Sequence, residues 1–195
     1  MRSSASVIAT SQNSALRGLF HTTESPVETM RRVTVGVILL PHGAQHLLGM
    51  FGGFGFRATL EWMTGTLGLP AVLAAVGIVI EFVAPLALIL GAGVRLAGAA
   101  LAVFMTVAAS THTSNGFFMN WFGKLPAGAE GFEYHLLAIV LAVAVAVRGA
   151  GAWSVDGWLT RRTPTTRPLA IQEYSPHHTI SRVLNPLASE RARRS

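Results

Sequence analysis

Between Val33 and Val147 the chain carries only seven charged side chains, Arg57, Glu61, Glu81, Arg95, Lys124, Glu130 and Glu133. Soluble domains carry about a quarter charged residues, whereas this 195-residue chain carries 12%. Four apolar segments recur within the stretch, at 33–49, 70–90, 94–113 and 132–147. Each approaches the roughly 17 to 25 helical residues that cross a hydrocarbon core about 30 Å thick. The pattern predicts an all-α fold: a four-helix transmembrane bundle with short interfacial helices in the outer loops. The first and last segments are short, and the first carries polar residues, so a strict hydropathy threshold could drop either one. Only an even number of crossings, however, leaves both basic ends on one side of a bilayer.

The formal charge of +6 does not call for nucleic acid, because the arginines gather at the chain ends. Arg2, Arg17, Arg31 and Arg32 precede the apolar stretch, and Arg148, Arg161, Arg162, Arg167, Arg182, Arg191, Arg193 and Arg194 follow it. Basic residues flanking short loops mark the cytoplasmic side, so both termini are expected inside, with the 91–94 turn. The connections at 50–69 and 114–131 then face out. Residues 1–30 are rich in Ser and Thr and lack the apolar centre of a cleavable signal. They are expected to form a disordered leader, 31–160 the membrane domain and 161–195 a disordered basic tail. The chain has no cysteine, which excludes disulfides, thiolate catalysis and cysteine-ligated clusters.

Along the chain, "GMFGGFGF" at 49–56 ends the first helix, since four glycines sustain a helix poorly. "ATLEWMTGTLGLP" then carries Leu60, Met63 and Leu67 at helical spacing beside Trp62, as an interfacial segment would, and Pro70 suits the first turn of the next helix. In that helix Pro85 follows Glu81 by four residues and has no N–H to give the Glu81 carbonyl. A carboxyl group and a freed carbonyl at one level form a polar notch that needs a partner. Gly98 and Ala102 are a small-xxx-small pair suited to close helix packing. The aromatic "FFMNWFGKLP" reads as a loop lying in the outer interface, able to act as a lid. Trp153 and Trp158 fit an inner aromatic belt.

His42, Gln45 and His46 in "LLPHGAQHLLG" are spaced i, i+3, i+4 and share a helix side. Polar groups at membrane depth point inward and pair with one another. At about 1.5 Å per residue, His42 and His46 lie about 15 and 21 Å above Arg32, and Glu81 about 16 Å below Pro70. Antiparallel threading brings His112 and the start of the fourth helix, Glu133, Tyr134 and His135, to the same outer half. Glu133 and His135 are about 200° apart around a helix and cannot both face the centre; His135 is expected inward. The candidates for ligand contact or proton exchange are therefore His42, Gln45, His46, Glu81, His112 and His135, with Asn115, Glu133 and Tyr134 secondary. The same groups can instead act as interhelical glue. Metal or haem ligation has weak support, since no Glu-x-x-His pair is present and "HGAQH" is not HExxH.

Taken together, "LLPHGAQHLLGMFGGFG", Glu81 in "GIVIEFVAPLALILG", "NGFFMNWFG" and "GFEYHLLAI" resemble the DoxX family of bacterial four-helix membrane proteins over about residues 33–159. Members of that family include subunits of quinone-linked sulfur-oxidising enzymes and proteins associated with redox-stress complexes. The resemblance implies a subunit of a quinone-linked oxidoreductase system in the bacterial cytoplasmic membrane, with quinone as ligand and a redox partner or a second copy as partner. The alternatives are a non-catalytic scaffold or assembly partner and, with less support, a small-solute transporter.

Overall fold

The computed structural model describes residues 20, 22, 24–126 and 129–162. Among these, six α-helices and no strand are present: α1 (Pro26–Leu48), α2 (Gly55–Gly65), α3 (Ala71–Leu90), α4 (Val94–His112), α5 (Glu133–Arg148) and α6 (Val155–Arg162). A 3-10 turn, Thr113–Asn115, extends α4. The expected leader and tail lie outside the described residues over 1–19 and 163–195.

The first helix starts earlier than expected, within the segment read as leader. Pro26 sits in its first turn, and the Ser25 hydroxyl accepts the Glu28 N–H at 3.4 Å, a standard stop on the unpaired donors of a helix start. The helix closes at Gly49, whose φ of 71° places it in the left-handed region that glycine adopts without strain. The sequence reading also missed α6, which runs on through Arg161 and Arg162.

Four helices pack as a ring: α1 on α3, α3 on α4, α4 on α5, and α5 back on α1; α2 rests against α1 and α3. Small residues let the ring close. A Cβ added to Gly98 would meet the Ala142 carbonyl and the Ala146 amide at 2.9 Å, so α4 and α5 touch nearly backbone to backbone. The interior is filled by Val35, Leu39, Leu88, Leu101, Ala142 and Val145. The outer faces are also apolar, with Leu73, Val79, Leu96, Val103, Leu137 and Val140 exposed. Two of the helices, 71–90 and 94–115, are long and apolar enough to cross a membrane.

The basic end is knotted around Arg32, which is 1% exposed rather than resting at an interface. Its Nε donates to Ala150 O at 2.7 Å, its Nη1 to Leu88 O and Ile89 O at 2.6 and 2.7 Å, and its Nη2 to Ala152 O and Trp153 O at 3.4 and 2.8 Å. A guanidinium has five N–H donors, and here each meets a carbonyl, two of them at the negative C-terminal end of α3. Asp156 accepts Gly93 N at 2.7 Å and Val94 N at 2.9 Å, capping the start of α4 from a distant helix. Glu28, also buried, bridges Arg31 and Arg148.

Candidate functional site

The site begins with two glycines of α1. A Cβ on Gly36 would lie 2.7 Å from the Pro85 carbonyl, and one on Gly43 would collide with the Glu81 carbonyl. Spaced two helical turns apart, they let the backbones of α1 and α3 meet where Pro85 leaves the Glu81 carbonyl without its helical donor. Gly43 brings His46, one turn further on, to Glu81. The His46 Nδ1 lies 2.5 Å from Glu81 Oε2, with the carboxylate 5% exposed. One proton occupies this contact, carried by either the imidazole or the acid.

His46 and Glu81 stand in the wall of a cavity of about 520 Å³, within the range of roughly 300–1,000 Å³ for small-molecule sites. His42 lines it one turn away from His46; apolar walls come from Leu39, Ile80, Phe104 and Met105. On the opposite side stand His112 and His135, their ring centroids 4.6 Å apart and tilted by 38°. The His112 Nδ1 is 2.9 Å from Ala108 O, which fixes Nδ1 as the donor and leaves the other nitrogen to accept when the ring is neutral. The buried Nδ1 of His135 has no hydrogen-bond partner. Tyr134, whose ring stands edge-on to His135 at 6.3 Å, and Thr111 complete this polar side. At the outer end the wall is made by Trp62, Met119 and Glu130.

Three sequence candidates fall elsewhere. Gln45 is about 100° around α1 from His46 and turns away from the cavity, donating from Nε2 to Phe51 O at 3.2 Å. Glu133 braces the outer loop, accepting Met119 N at 3.2 Å and Trp121 Nε1 at 3.3 Å. Asn115 Nδ2 donates to Glu130 O at 3.1 Å, outside the wall. His42, His46, Glu81, His112, Tyr134 and His135 are brought together. The Gly36–Gly43 seam went unread, although their seven-residue spacing was a usable signal. Among the described residues no group of three or more His, Asp or Glu is placed to hold a metal ion.

The DoxX family model matches residues 28–114, a shorter span than the sequence resemblance suggested. It covers α1 to α4 with His42, His46, Glu81 and His112, and stops before α5. No curated protein and no solved structure matches the chain. The family and the apolar helices together mark a membrane protein.

Proposed function

We propose that this chain, which over residues 28–114 belongs to the DoxX family, is a four-crossing subunit of a quinone-linked oxidoreductase system in the bacterial cytoplasmic membrane. In this reading α1, α3, α4 and α5 all cross. The outward apolar side chains of α1 and α5 support it, Val37 and Ile38 on α1 and Leu137, Val140 and Val143 on α5. Arg31, Arg32, Arg95, Arg148 and Arg161 gather at the end where α3 turns into α4. The positive-inside preference puts that end, with both termini, in the cytoplasm and the cavity in the outer half.

The observation that carries the functional reading is the His46–Glu81 pair, set with few other polar groups in an otherwise apolar cavity. An oxygen-bearing ring needs this combination: flat apolar walls and a small number of donors at its oxygens. Reduction of a quinone takes two electrons and two protons. Electrons come from a partner protein or a bound cofactor, since the chain has no cysteine to hold an iron–sulfur cluster. The proton shared by His46 and Glu81 is available to one reduced ring oxygen, and the pair must regain a proton from water before it delivers the second; the His135 ring stands in the same cavity wall.

Trp62 lies in the cavity wall and supplies the test. A short-chain benzoquinone titrated into purified protein should quench fluorescence saturably; Trp62→Phe should remove the saturable part, and Glu81→Gln should weaken the affinity. Quenching that is linear in quinone and the same in all three proteins would refute the reading. The scaffold alternative draws on the same contact, because His46–Glu81 also ties α1 to α3. It predicts that His46→Ala loses folded protein or partner assembly with no quinone phenotype.

A further inference from the structure

The cavity around His46 and Glu81 does not end at buried side chains. Leu73, Val76, Val103 and Val107 belong to its wall, yet Leu73 is 63% and Val103 67% exposed, against 5% for Glu81 and Met105. Leu73, Gly77 and Glu81 follow one another at four-residue spacing and form a line down α3, from the outer surface to the buried carboxylate. Val103 and Val107 have the same spacing on the antiparallel α4. Gly77 keeps the seam shallow-walled: a Cβ there would sit 3.2 Å from the Phe104 ring, so the ring lies on bare α3 backbone. Every outward side chain of the seam is apolar, and a hydrated solute would find no partner there. The water-facing end, by contrast, is walled by Trp62, Met119 and Glu130.

Resting on the reading that the cavity holds an oxygenated ring, we propose that the ligand reaches it sideways from the bilayer, through the seam between α3 and α4, and keeps a hydrocarbon tail lying there. The occupant of the seam is the tail of the same molecule whose head meets His46 and Glu81, because groove and cavity are continuous. The ligand class narrows to a membrane-dissolved molecule with an oxygenated ring head and a long hydrocarbon tail.

The test compares two quinones with one head group, one bearing a decyl tail and one a methyl group, by equilibrium binding to the full chain in detergent. Val103→Phe/Val107→Phe fills the seam from its exposed side; Val140→Phe/Val143→Phe adds equal bulk to α5 as the control. The seam variant should bind the decyl quinone about tenfold more weakly, the order expected for about two buried methylenes lost. It should bind the methyl quinone within about twofold of wild type, as the control should bind both. If the double variant melts early, Val103→Phe alone is judged by the same criterion. A seam variant that binds the decyl quinone like wild type, or that loses both quinones equally, overturns the lateral route while leaving the head pocket standing. Failure of wild type to bind either quinone overturns the pocket itself.

Discussion

Gly43 of α1 lies directly against the backbone carbonyl of Glu81 on α3, and this contact sets the His46–Glu81 distance of 2.5 Å. Gly43→Ala therefore forces the two helices apart at the level of the pair. The expected cost is about 1–3 kcal/mol, read as an earlier thermal melt in detergent, together with weakened quinone affinity. A Gly43→Ala protein with wild-type melting and binding would show that the backbone contact is incidental.

Arg32 should be the least replaceable basic residue. Its five donors meet five carbonyls, and lysine, a point charge with three donors, cannot reproduce that fork. Arg32→Lys is expected to cost about 2 kcal/mol and Arg32→Met about 3 kcal/mol or more, since buried carbonyls lose their partners. Arg57→Met should be neutral by the same melt, because Arg57 and its partner Glu61 are mostly exposed. Equal melting of the Arg32 and Arg57 variants would contradict this ranking.

Gln45 and His46 are neighbours in sequence but differ in what they reach. Gln45→Ala should leave quinone affinity within about twofold of wild type, whereas His46→Ala should weaken it by more than about tenfold. A titration of both variants decides this, and comparable losses would return Gln45 to the pocket.

Removal of the Glu133 carboxylate should loosen the outer loop without touching the cavity's ionisable pair. Glu133→Ala leaves Met119 N and Trp121 Nε1 without their acceptor, at a cost of about 1 kcal/mol or less, because water can replace the acceptor at the exposed Trp121. Limited proteolysis should cut faster between residues 117 and 126, while Glu133→Gln, which keeps an acceptor oxygen, should resemble wild type. Unchanged cleavage in Glu133→Ala would remove the bracing role.

The all-helical architecture was legible because charge is nearly missing from residues 33–147, and the apolar segments run continuously for helix-length stretches instead of alternating as the strands of a membrane barrel would. The polar cluster was legible by counting helical rise: the count put Glu81 near mid-depth and His46 in the outer half, and antiparallel threading brought His112 and His135 to that half. Gln45 was misplaced because a shared i, i+3, i+4 face is broad, and the Gly43 contact, invisible to a helical wheel, decides which part faces the cavity. Arg32 was read only as one of the basic residues that precede the apolar stretch, because its five acceptors come from residues 88–153, far along the chain. The helix start at Pro26 was hidden in a polar stretch. The eight-residue α6 is too short for apolar periodicity to reveal, and Asp156 within it works on a distant helix.

The most direct test of the central claim is what the cavity holds when the protein leaves the membrane. Protein purified in mild detergent should be extracted with organic solvent and assayed for quinone by its redox difference spectrum. Wild type and a doubly substituted His46→Ala/Glu81→Gln chain should be compared at equal folded amounts. The account predicts near-stoichiometric quinone with wild type and strong depletion in the variant. No quinone in wild type, or the same amount in both, would contradict it.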